Sequence, residues 1–331
     1  MTGSTRELRK RLREAGLSTE AVEAAWPAWW EDGAEASPSA RAELRFALAR
    51  NLGLSAKALV GERVEFVWRD TARFKHLADV GVEARAALNS FGASVGGALV
   101  RSTTPGPGLG GISAAELRGM LLDSSTTVDL LGLLTACWST GTPVVHLRVS
   151  PLAAKSMHAM VVGNGGRHAV LLSRDARYPA LTAFTLAHEI GHIALGHVSG
   201  SGIIVDAEDP ASGADGDNEE LAADRYALEL LMGSPDPDIR INFDSFNSAE
   251  LADAVLRAGS EYGVEPGTLA LAVAYRRNAY PVAIAAMRLI YGAGSPVWEA
   301  VNQVAARELD LTDAGSDSTA FLARILELKD G

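Results

Sequence analysis

Two histidines four residues apart, His188 and His192, flank Glu189 in the run LTAFTLAHEIGHIALGH. On a helix, positions i and i+4 project from one face about one turn apart, so both imidazoles can reach one metal ion at about 2.0–2.1 Å. Glu189 falls about 100° further round the helix. It is too displaced to bind the same ion easily and well placed to take a proton from a water activated there. Gly191 leaves the helix bare beside that ion. Phe184, Leu186, Ile190, Ile193 and Leu195 make the helix apolar almost all round, so it should be buried. Two histidines and a carboxylate inside a buried helix need a partner. The plainer reading is a pair of hydrogen-bonded core histidines.

A catalytic zinc site takes three protein ligands and keeps a fourth position open. An extended pattern with a histidine six residues after His192 fails, because Val198 stands there and His197 is one residue short. His197 reads as a helix-end residue favouring the negative end of the dipole. The better candidate is downstream, in NEELAADRYALELLM. Glu220 and Asp224 are i, i+4, and Ala223 and Ala227 complete one narrow stripe that lets this helix pack closely on the first. Glu220 would complete a His-His-Glu set, while Asp224 would hold a ligand histidine in the required tautomer. Glu219 points elsewhere. The plainer role for Glu220 is a helix-start residue.

The elements that must position these groups are legible in outline. Residues 6–80 read as short helices, with Leu44, Leu48 and Leu52 at i, i+4, i+8 and Gly53 as a C-cap. That run looks like the closing part of a degenerate helix-turn-helix, so 1–100 is expected to be a helical N-terminal region. RSTTPGPGLGG, residues 101–111, reads as a linker. Helices are expected at 113–122, 126–138, 179–198 and 218–232. Three strands are expected at 143–149, 158–164 and 168–174, with Asn164-Gly165-Gly166 making a tight hairpin. Residues 199–217 are Gly- and Asp-rich and read as a loop. The region 236–331 is expected to be helical, with breaks at Gly263, Pro281, Gly292–Gly294 and Pro296. The fold class is therefore α+β and predominantly helical, with a core over 112–235.

Composition narrows the function. The chain of 331 residues is 47% hydrophobic and 21% charged, enough for a substantial core. A single cysteine, Cys137, excludes a disulfide framework or a cysteine-rich zinc module and reads as core. The net charge of −11 argues against direct nucleic-acid binding. The basic cluster Arg6, Arg9, Lys10, Arg11 and Arg13 reads as a solvated face. The segment DAEDPASGADGDNEE carries seven acidic residues and no basic ones, without the spacing of a calcium loop. The charged N-terminus and the lack of a long apolar run lead to the expectation of a cytoplasmic protein outside the membrane. His146, His158 and His168 fall on strands, where ordinary strand roles compete with lining a cleft.

With H-E-I-G-H preceded by strands and followed by E-x-x-A-D-R-Y-A-L-E-L-L-M, residues 140–235 resemble the ImmA/IrrE-type metallo-endopeptidases, which are gluzincin-like. The resemblance implies Zn2+ as cofactor, a zincin-like core, His188, His192 and Glu220 as ligands, and Glu189 as general base. It also implies a specific protein substrate, a repressor-like helix-turn-helix protein. Tyr226, where the family usually has Phe, departs from the pattern without touching the ligands. Two other functions remain open: a zinc-binding sensor or interaction protein that cuts no peptide, and a DNA-binding regulator acting through the N-terminal helices.

Overall fold

A computed structural model describes residues 3–68, 72–75, 81–152, 157–206, 218–240, 245–312 and 315–328. The chain is mostly helical with one small mixed sheet, consistent with the α+β expectation. The N-terminal helices are α1 (Gly3–Glu14), α2 (Thr19–Ala25), α3 (Pro38–Leu52), α4 (Ala56–Val60) and the long α5 (Val82–Arg101), with strand β1 (Ala72–Lys75) before α5. Ser18, Ser37 and Ser55 each accept a backbone N–H and start α2, α3 and α4. Gly53 ends α3 in the left-handed conformation, as its position suggests, and its Cα is pressed so closely on α5 that a Cβ would meet the Ser90 carbonyl. The basic cluster of α1 is partly neutralised: Arg9 pairs with Glu23 and stacks on Trp26, and Arg11 pairs with Glu7 and Glu62.

The middle of the chain supplies α6 (Ala114–Leu122), α7 (Leu130–Ser139), β2 (Val144–His146), β3 (Ala159–Asn164), β4 (Arg167–Leu172), α8 (Pro179–Ala194), β5 (Ile203–Asp206) and α9 (Asn218–Met232). The three expected strands form, but the sheet has five, in the order β1-β5-β3-β4-β2. β3 and β4 make the expected hairpin: Asn164 pairs with Arg167, and Gly165 and Gly166 both take positive φ. The addition is β5, antiparallel to β3 and parallel to β1. It corrects the expectation of a loop throughout 199–217. Its residues Ile203, Ile204 and Val205 are buried, and such a short apolar run is a strand signal that the surrounding glycines and aspartates mask. The rest of that acidic segment, 207–217, lies outside the described residues.

The stretch expected as a linker is anchored at Ser102, Thr103 and Leu109, which are buried, while residues 104–108 are exposed. Leu109 is fully buried, and the Arg167 guanidinium donates to the carbonyls of Val100 and Thr103. Residues from Leu8 to Leu326 share one apolar core, which takes in the N-terminal helices, the sheet and α8.

The C-terminal helices divide. The helices α10 (Ser248–Tyr262), α11 (Pro266–Arg277) and α12 (Tyr280–Tyr291) build their own small core around Val255, Ala270 and Ala283. Pro281, expected as a break, sits in the first turn of α12, where its missing N–H costs nothing. α13 (Val297–Glu308) and α14 (Ser316–Leu326) return to the main core, and α13 closes the sheet edge. Asn302 there accepts from His146 N–H at 2.7 Å and donates to the carbonyls of His146 and Leu326 at 2.8 and 2.7 Å. This side chain takes the place of a further strand beside β2. Among the described residues, no helix is long and apolar enough to cross a membrane.

Candidate metal centre

Helix α8 begins at Pro179, whose fixed φ suits a first turn, and is buried along nearly its whole length. It ends at Ala194, four residues sooner than expected, because Gly196 adopts a left-handed conformation. Helix α9 packs across it at the position sequence suggests. Ala223 and Ala227 are fully buried, and a Cβ on Gly191 would stand 3.1 Å from the Ala223 carbonyl oxygen. The two backbones meet where side chains are smallest. Tyr226 is accommodated by a hydrogen bond from its hydroxyl to the Ile112 carbonyl, which ties α9 to the start of α6.

This contact brings His188, His192 and Glu220 together, and the structure adds Asp206 from the end of β5. One ligand atom from each lies within 4.8 Å of all the others. The two Nε2 atoms are 3.0 Å apart, and Glu220 reaches them with Oε2 at 3.3 Å and Oε1 at 3.4 Å. Asp206 Oδ2 is 3.4 Å from His188 Nε2. A tetrahedron with bonds of about 2.0–2.1 Å has edges of about 3.3–3.4 Å, so these separations are those of donors around one ion. Glu189, fully buried one step along the helix, stays outside this set, and Glu219 does not join it.

Hydrogen bonding fixes which nitrogens face inward. His188 Nδ1 donates to Asp224 Oδ1 at 2.8 Å, which leaves the Nε2 lone pair aimed at the centre. Asp224 thus meets the His188 nitrogen that faces away from the centre. His192 Nδ1 lies 2.9 Å from His197 Nδ1. Donation from His192 to His197 would leave the His192 Nε2 lone pair facing the same centre. His197 does stand at the helix end, its N–H donating to the His192 carbonyl just beyond Gly196; what the sequence does not show is that its ring is also set against His192. Signals for it were limited to its closeness in sequence to the motif.

Two imidazole nitrogens and two carboxylates crowd together in the interior, an arrangement that calls for a positive charge between them, a proton or a metal ion. The electrostatics agree. Burial alone would depress His188, but Asp206, Asp224 and Glu220 outweigh it and push its pKa well above the usual histidine value. Burial would raise Asp206, yet the contact with His188 holds it below the ordinary carboxylate range. Glu189 is pushed well up by burial and by the neighbouring charge of Asp206. The oxygens of Glu189 and Asp206 are buried without hydrogen bonds among the described residues. The buried group His188, His192, Asp206 and Glu220 could therefore hold a metal ion, and its mixed nitrogen and oxygen donors fit zinc.

A cleft of about 430 Å³ lies between α8, α9 and α11; none of the four donor residues lines it, and Asp224, bonded to His188, is its link to the group. Asp224 and Leu221 stand on its wall with Leu181 and Phe184 of α8 and Leu271 and Tyr275 of α11. The strand histidines are elsewhere. The His146 ring lies between the Leu147 and Arg174 carbonyls, His168 meets the Val198 carbonyl, and His158 borders a separate small hollow. Cys137 is buried, its thiol pushed up to about 12 by desolvation. No family model matches the chain, and no curated protein or solved structure gives a significant match.

Proposed function

We propose that this chain is a zinc-dependent endopeptidase of the ImmA/IrrE type that regulates by cleaving a specific protein. The observation that carries the reading is the convergence of His188, His192 and Glu220 on one point, with Glu189 buried beside them and outside the set. His188, His192 and Glu220 would hold the zinc ion, which when bound would supply Lewis acidity toward a scissile carbonyl and a water. Glu189 takes the proton at a carboxylate oxygen and passes it to the leaving amine nitrogen. Asp224 and His197 keep the two imidazoles in the tautomers that the task needs. The apolar cleft between α8, α9 and α11 offers a place for a substrate side chain next to the ligand helices.

A repressor-like helix-turn-helix protein is the proposed substrate. The resemblance points there, and the net charge of −11 favours encounter with a basic partner. Against the DNA-regulator reading, the net charge is −11 and the arginines Arg9 and Arg11 of α1 are paired with Glu23, Glu7 and Glu62. Co-expression with candidate repressors, read by mass spectrometry for new termini, tests the proposal. Cleavage is expected with the wild type and not with Glu189→Gln. Equal cleavage by Glu189→Gln would overturn it.

One observation favours a second reading. With Asp206 the site offers four protein donors, the count of a structural zinc site, which suits a zinc-binding sensor that cuts no peptide. Zinc retention without cleavage of any partner by wild type or by Asp206→Ala would support it.

A further inference from the structure

The strand that sequence hides, β5, delivers a carboxylate to the metal centre, and a hydrolytic site needs that position for water. Asp206 Oδ2 lies 3.4 Å from His188 Nε2, the same scale as the 3.3 and 3.4 Å that separate Glu220 from the two histidines. Its backbone is fixed: β5 pairs Asp206 with Ala159 and Lys75, and its carbonyl accepts the His158 N–H at 2.8 Å. The residue is 4% exposed, and neither carboxylate oxygen makes a hydrogen bond among the described residues. A buried carboxylate so placed has His188 Nε2 as a close partner, and a cation at the centre would stabilise it further.

We propose that Asp206 is the fourth protein ligand of the resting centre, so that the site is closed to water and the peptidase is latent toward free peptides until engagement of its protein substrate draws this carboxylate away. The proposal deepens the reading above and rests on it for the metal. Asp206 is the ligand suited to leave. His188, His192 and Glu220 ride on two helices locked together at Gly191 and Ala223, whereas Asp206 stands at the end of a strand and can turn its side chain away without moving either helix.

Cobalt(II) in the full chain provides a test by absorption spectroscopy, with azide as the probe for an open position. The wild type should show an intense four-coordinate spectrum that azide leaves unchanged. Asp206→Ala should bind cobalt about 10- to 100-fold more weakly, respond to azide, and gain hydrolysis of a peptide library that a Glu189→Gln second substitution abolishes. Asp206→Asn, close in shape, carries the same azide readout if the alanine variant fails to fold. A wild-type spectrum that shifts with azide as readily as the variant's would overturn the fourth-ligand assignment. An azide-responsive Asp206→Ala protein with no gain in hydrolysis would overturn the latency. Wild-type cobalt affinity in His188→Ala would instead overturn the metal reading itself.

Discussion

Replacing Gly191 by alanine should uncouple the metal site from the stability of the metal-free fold. The new Cβ would stand 3.1 Å from the Ala223 carbonyl oxygen and 3.2 Å from both Ala223 Cα and Tyr226 Cβ. Comfortable contacts lie at about 3.5–4.0 Å, so α9 must retreat by roughly 0.3–0.6 Å. Glu220 is one turn before Ala223 on the same helix and retreats with it, and metal–ligand distances tolerate only about 0.2 Å. A loss of about 10- to 100-fold in zinc affinity follows, the usual cost of displacing a positioning group; that is about 1.4–2.8 kcal/mol. The metal-free protein feels opposing effects: alanine gains up to about 1 kcal/mol over glycine in a helix interior, while overpacking costs about 1–3 kcal/mol. Zinc affinity, by competition with a chromophoric chelator, is therefore the discriminating readout, with thermal unfolding of the metal-free protein alongside. Unchanged affinity together with a raised melting temperature would refute the claim that this close approach sets the ligand geometry.

Zinc at about 100-fold above its dissociation constant should stabilise the wild type by about 2.7 kcal/mol in urea unfolding, and His188→Ala should show no such gain. Asn302→Ala should cost about 2–4 kcal/mol in the same assay, because it strands the His146 N–H and C=O and the Leu326 C=O at the sheet edge. His146 makes a pH prediction. Burial, with Arg148 nearby, depresses its pKa despite the Arg174 carbonyl and Asp175. The unfolded state thus binds this proton first, and stability should fall as pH drops below about 6.5 toward the folded value. His146→Gln should lose less stability than the wild type across that window, as read by melting temperature against pH; parallel curves would contradict it.

Much of the site is legible in the sequence because it is local. The i, i+4 pairs His188/His192 and Glu220/Asp224 and the Ala223/Ala227 stripe are helix geometry, and α8 and α9 bear the arrangement out. Asp206 escaped because it belongs to four residues inside a Gly- and Asp-rich segment, and its partners Ala159 and Lys75 are distant in sequence. The contact of the His197 ring with His192 escaped for a nearer reason: the Gly196 turn converts an apparent helix continuation into a fold-back. The role of Asn302 depends on a hydrogen bond to a residue 156 positions away, which no pattern along the chain could announce. The sheet was read as its local hairpin plus β2, and the strands added from outside that stretch are held by pairings between distant segments.

Metal content per chain, measured by elemental analysis across a set of purified variants, tests the central claim most directly. One zinc is expected in the wild type, in Glu189→Gln and in Glu219→Gln. Sharp loss is expected in His188→Ala and in His192→Ala, and weakened retention in Glu220→Gln. Full zinc occupancy in a protein lacking both histidines, or loss of zinc on replacing Glu189 alone, would contradict the account.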